Sequence, residues 1–212
     1  MKMKAKQLLK ELRYSLYIPL HPFKGFWDLK HEKEGSFSTA MVILFLQIAV
    51  SVASAYFSEW LFSGNVYFYN PLSTVFVTLG LFFTWCISNW CFTCLNDGEG
   101  TFKEICTVTA YALIPYIIVQ MIAIPLSHLL VMREYAMYSL MLSVGTIWTG
   151  FLIVFGTLVV HQYTFTKTLL VCVVTVIGMA VMVYLGVLML NLVQVIANFF
   201  ITLVNEIRIT MR

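Results

Sequence analysis

Charge is what this chain has least of: Asp, Glu, Lys and Arg make up 11% of its 212 residues, where soluble domains carry roughly a quarter. With 60% of the residues hydrophobic and a mean hydropathy of +0.87, no soluble core of this length hides so much apolar surface, so lipid is part of the solvent. The formal net charge of +3 is too small to argue for a nucleic-acid partner. None of the apolar runs holds an unambiguous mid-membrane Asp, Glu, Lys or Arg, which weakens the case for a proton-coupled transporter; Glu59 and Glu134 stand near run ends, within reach of water. His-Glu-x-x-His, Gly-x-Ser-x-Gly and a phosphate-binding glycine loop are all missing, so no catalytic signature and no cofactor motif is present. The histidines His21, His31, His128 and His161 are scattered. Among the cysteines, Cys91, Cys94 and Cys106 are weak metal candidates, because the first two end one apolar run and the third begins the next. No histidine stands beside them in sequence as a fourth zinc ligand, and small thiols in helices facing a reducing cytosol are the plainer reading.

What the chain does have is five apolar runs: 38–62, 72–95, 102–132, 137–160 and 168–204. About twenty residues cross the hydrocarbon, so the reading is an all-α, five-span bundle over 37–212, preceded by a charged juxtamembrane segment over 1–36. Ala53-Ser54-Ala55 resembles a signal-peptidase site, but the charged segment before it is too long for a leader, so the first run is read as a retained span. Residues 63–71, with Tyr67, Phe68 and Tyr69, read as a short outer loop with an aromatic belt. The last run spans about 55 Å as one helix, bent near Gly186. Asn191, Gln194, Asn198, Thr202 and Asn205 form one polar stripe along it, suited to a wet cavity, to water on the outer side, or first of all to hydrogen bonds with a neighbouring helix. Gly145, Gly150 and Gly156 suit close helix packing, within the chain or between copies of it.

The polar stretch 95–115 is the organising piece. Asp97-Gly98-Glu99-Gly100 is turn chemistry. Thr101 followed by Glu104 reads as a capping box, which starts a helix at Phe102. Pro115 meets that helix about three turns in, frees the Tyr111 carbonyl and bends the chain. Carboxylates beside a helix start are favourable on dipole grounds alone.

The N-terminal segment is the most charged. Leu8, Leu9, Leu12 and Leu16 are spaced as a helix face beside Lys2, Lys4, Lys6, Lys10 and Arg13, a pattern that suits either an anionic leaflet or a solvated basic tail. Pro19 and Pro22 are expected to end that helix. Phe23, Phe26 and Trp27 then share one face of a short helix, read as an interfacial anchor or a docking element. With the N-terminus inside and five crossings, ten basic residues lie inside: Lys2, Lys4, Lys6, Lys10, Arg13, Lys24, Lys30, Lys33, Lys103 and Lys167. Three lie outside: Arg133, Arg208 and Arg212. The bias favours a cytosolic N-terminus and an outside C-terminus.

His21-Pro22-Phe23-x-Gly25-Phe26-Trp27-Asp28-Leu29-Lys30, then Asn96-Asp97-Gly98-Glu99-Gly100-Thr101-Phe102-Lys103-Glu104 running into Thr109-Ala110-Tyr111-Ala112-Leu113-Ile114-Pro115, resembles the Ypt-interacting-protein (Yip) domain family in its bacterial form. The resemblance covers about 19–203. It implies five spans with the termini on opposite sides. Eukaryotic relatives are trafficking factors that bind Rab-type GTPases and coat machinery; bacteria lack that system, so the resemblance brings no substrate and no named partner.

The expected function is therefore a non-enzymatic adaptor in the plasma membrane. Its cytosolic face, drawn from His21, Pro22, Phe26, Trp27, Asp97, Gly98, Glu99, Gly100, Glu104, Tyr111 and Pro115, would meet a protein or anionic lipid. A solute or lipid transporter using the polar stripe, or an accessory subunit of one, is the alternative. An intramembrane enzyme would need Cys91, Cys94 and Cys106 to converge, or His161 to meet an acid.

Overall fold

A computed structural model describes residues 2–32, 34–57, 70–130 and 134–210, with side chains described throughout these except at 2–6, 9 and 204–210. The aromatic outer loop at 63–69, Glu59, Lys33, Arg133, Arg212 and the side chain of Asn205 lie outside the described residues. Among the described residues the helices are α1 (Lys2–Ser15), α2 (Pro22–His31), α3 (Phe37–Phe57), α4 (Pro71–Leu95), α5 (Phe102–Ala112), α6 (Ile114–Ser127), α7 (Tyr135–His161) and α8 (Phe165–Thr210).

Among the described residues five helical segments are long and apolar enough to cross a membrane: α3, α4, the α5–α6 pair (Phe102–Ser127), α7, and α8 as far as Leu203. The α5–α6 pair is the centre of the bundle, with 67% of its apolar window buried against at most 39% in the others. It is packed by α3 and α7 along its length and by α4 beside α5, while α8 leans on α4 and α7. Gly145 and Gly156 bring α7 against Val119 and Val108, whereas Gly150 faces open space.

The centre is broken where the proline requires it. Leu113 closes α5 with its N–H on the Ala110 carbonyl at 3.2 Å, and α6 restarts at Ile114 with Pro115 in its first turn. A proline there lacks only an N–H that a helix start leaves unbonded anyway. Pro125 sits inside the end of α6, which stops at Ser127. Pro22 departs from the sequence reading for the same reason. It does not end the first helix, which stops at Ser15; it opens α2.

The N-terminal helix is docked onto the bundle rather than free. Glu11 is buried, and its carboxylate accepts from the Ser36 N–H at 3.1 Å and the Ser36 hydroxyl at 2.6 Å, as well as from the Thr39 hydroxyl. One carboxylate thus gathers the donors at the start of α3, where a negative charge is favoured. Burial pushes its pKa up, but the hydrogen bonds from Ser36, Thr39 and Gln7 outweigh that and hold the carboxyl below its ordinary range. Tyr14 ties α1 to α2 through the Gly25 carbonyl and the Asp28 carboxylate, each at 3.2 Å, and burial, then the charge of Asp28, pushes its phenol up.

The last helix runs unbroken past Gly186 for 46 residues, about 69 Å. Every residue from 183 to 203 is exposed. Among the described residues, therefore, nothing packs over Asn191, Gln194, Asn198 and Thr202. The periodicity is a property of the helix alone, and exposure agrees with the stripe facing out rather than into the described bundle.

Candidate functional site

At one end of the bundle, α2, the 96–101 loop and the ends of α4, α7 and α8 form a continuous polar face. Its shape begins with the exit from α4. Asn96 caps that helix with its N–H on the Thr93 carbonyl at 3.1 Å, and the Gly98 N–H reaches the same oxygen at 2.9 Å. The residue between them turns left-handed, and it is Asp97, at φ 55°, an acid that tolerates this region better than most side chains. Beyond turn chemistry, the two glycines permit a close approach. A Cβ on Gly98 would come within 2.7 Å of His161 Nδ1 and 2.8 Å of the Tyr163 hydroxyl, and one on Gly100 would overlap Val160. The loop lies flat on the end of α7 because neither residue has a side chain.

Beneath it His161, buried at 2% exposure, joins four elements. Its Nδ1 accepts from the Gly100 N–H at 3.3 Å, which places the ring proton on Nε2. Nε2 then donates to Asn89 Oδ1 of α4 at 3.2 Å. The Asn89 amide reaches the Thr175 hydroxyl of α8 at 3.4 Å, and that hydroxyl donates to the Val171 carbonyl at 2.8 Å. His161 bonds an amide and a backbone N–H rather than a carboxylate, so the histidine–acid pair an enzyme reading requires is not what this ring makes.

Lys30 of α2 closes the face from the other side. Its ammonium, on a side chain only 13% exposed, donates to the Val160 carbonyl at 2.8 Å and to Glu99 Oε2 at 3.4 Å. A cation at the last turn of α7 meets the negative end of that helix. Tyr163 donates to the Asn96 carbonyl at 2.8 Å. Lys167 donates to the same oxygen at 2.9 Å, with its ammonium 4.2 Å from the centre of the Tyr163 ring. Burial pushes the Tyr163 phenol up, and the charge of Asp97 adds to it.

The residues singled out from sequence divide sharply. Asp97 and Glu99 are exposed, Gly98 is half-buried and Gly100 buried. Glu104 is taken up by the capping box, accepting from the Thr101 N–H and hydroxyl at 2.8 Å each. Tyr111 and Pro115 are buried within the core and offer nothing to a partner. Phe26 is fully buried, while Trp27, 41% exposed, stacks on His31 at 4.0 Å, so the aromatic anchor is not one face. Pro22 is half-buried at the start of α2, and exposed His21 stacks on Tyr17 at 4.4 Å.

The cysteines do not converge. Cys91 and Cys94 are exposed, while Cys106 and Cys86 are buried, and all four are free thiols. Among the described residues no three His, Cys, Asp or Glu side chains gather as metal ligands. Lys30, Asn89, His161, Tyr163 and Thr175 carry the face, and none of them formed a sequence motif with its partners.

A family model described as the Yip1 domain matches residues 16–203. Neither the comparison with curated proteins nor that with solved structures gave a significant match.

Proposed function

Since this chain belongs to the Yip1 domain family, we propose that it acts as a non-enzymatic multi-pass membrane adaptor whose partner docks on the α2–loop face. The observation that carries the reading is the Lys30 bridge. A single ammonium holds α2 to Glu99 and to the end of α7, so the two stretches that carry the family resemblance sit together. Around that bridge, Asp97, Glu99, Trp27 and Lys103 are exposed. This mix of aromatic surface and charge suits a protein partner. The bias of basic residues supports a cytosolic position for this face, and the bacterial form of the family resemblance supports a plasma membrane as its host.

The test is affinity capture from detergent-solubilised membranes of the native cell with the wild-type chain and with Asp97→Lys/Glu99→Lys, leaving Glu104 to its cap. A partner retained by wild type and lost by the reversed variant, with the variant's melting temperature unchanged, supports the reading. An identical set of retained proteins overturns it.

A further inference from the structure

The polar stripe of α8 stands on the side of the helix that its own bundle does not use. Thr168, Val171, Thr175 and Gly178, all buried, form the seated side. Ser88 of α4 donates to the Thr175 carbonyl at 2.8 Å, and a Cβ on Gly178 would overlap Ser88 and Phe92. At about 3.6 residues per turn, Asn191, Gln194, Asn198 and Thr202 fall on the opposite side. Met189, Val193, Ile196 and Phe200 continue the seated side, and all four are apolar. The side-chain amides of Asn191, Gln194 and Asn198 have no hydrogen-bond partner among the described residues.

Length leaves the stripe in need of a cover. The apolar part of α8, Phe165–Leu203, has 39 residues and is about 58 Å long, against about 30 Å of hydrocarbon. The seated part, 165–182, already takes up about 27 Å. If the rest ran straight into water, it would expose Leu190 and Phe199, which are 71% and 62% open. Lying along the membrane surface would suit both sides, but needs a sharp bend where the crossing ends, and α8 is one helix from Phe165 to Thr210. A tilted helix stays in lipid, where an amide without a partner is costly. A second helix laid on the stripe covers the amides and leaves the apolar side to lipid.

The stripe also specifies which helix fits. Copies of one chain insert the same way round, so two α8 helices meet in parallel, with equal residues at equal depth. Asn191 of one copy then meets Asn191 of the other, and Asn198 meets Asn198. These are seven residues apart, the repeat of a two-stranded seam in which a buried Asn sets register. Each amide carries both donor and acceptor, so identical pairs are complementary. A charged partner gains nothing here, because no charged residue stands between Lys167 and Glu206.

We propose that the distal half of α8 is the contact surface for a second copy of this chain, a parallel seam along Asn191, Gln194, Asn198 and Thr202. The contact lies outside both bundles, so each bundle stays folded when the copies separate. It goes beyond the adaptor reading and does not depend on the α2–loop face.

The test uses the purified full chain in phosphatidylcholine liposomes. Val195→Cys stands beside the stripe and leaves its amides intact, whereas Val193→Cys stands on the opposite side. Under mild copper-phenanthroline oxidation, position 195 is expected to join two copies well above both position 193 and the parent chain, whose exposed Cys91 and Cys94 set the background. Asn191→Leu/Asn198→Leu in the Val195→Cys chain keeps side-chain size and removes the amides. It is expected to weaken association about tenfold, the equivalent of two interhelical hydrogen bonds in lipid, read by diluting the protein in lipid. Circular dichroism verifies that helix content is unchanged in each variant. Equal cross-linking at 193 and 195, no dimer above the parent, or association unaltered by the double leucine variant would overturn the proposal.

Discussion

Gly100 and Gly150 make a matched pair for testing the close approach of the loop. A methyl on Gly100 drives into Val160 and the His161 ring, whereas one on Gly150 meets nothing within 4 Å. Gly100→Ala is expected to cost about 1–3 kcal/mol, as overpacked sites do. Gly150→Ala, in the exposed middle of α7, is expected to be neutral or stabilising by up to about 1 kcal/mol; denaturant unfolding in micelles measures both. Glu11 gives the pH dependence. Its folded pKa lies below the ordinary value, so the unfolded chain takes up its proton first as pH falls. The stability Glu11 contributes is then complete above about pH 4.3 and is lost as pH drops through the lower folded value. Glu11→Gln is expected to melt earlier at neutral pH and to lack that acid-side loss, read from melting temperatures across pH 3–7.

At the scale of elements, the His161 chain predicts what holds the loop. His161→Phe fills the space but accepts nothing from the Gly100 N–H and donates nothing to Asn89. Amide exchange at 98–100 is expected to speed up about tenfold, the equivalent of one lost hydrogen bond, as read by exchange mass spectrometry; unchanged exchange would mean the loop is held by packing alone. The end of α8 predicts the opposite behaviour. Because 183–203 is exposed throughout, a chain ending at Met182 is expected to keep bundle stability within about 1 kcal/mol by the same unfolding measurement. These elements also show what the sequence could disclose. The capping box at Thr101 and the break before Pro115 were legible because each needs only residues within one or two turns. The Lys30 bonds were not, since they join positions 69 and 130 residues apart and a lone lysine in a basic segment looks like any other. The stripe on α8 was legible as periodicity, but its surroundings depend on how far the other helices extend, which periodicity does not encode.

At the scale of the whole molecule, hydropathy was enough to give five segments able to cross, because a bilayer imposes length and apolarity on each one independently. Which segment forms the centre was not accessible that way. The α5–α6 pair is of middling hydropathy, 1.9 against 1.6 to 2.6 for the other four, and it is central because it is the one packed from several sides. Five crossings would put the termini on opposite sides, and with them the α2–loop face opposite the distal end of α8. The most direct measurement is impermeant maleimide labelling of Asp97→Cys, against the unsubstituted chain, in intact cells and in inverted vesicles. Labelling above the parent only in inverted vesicles is the predicted result; labelling of position 97 in intact cells would contradict the account.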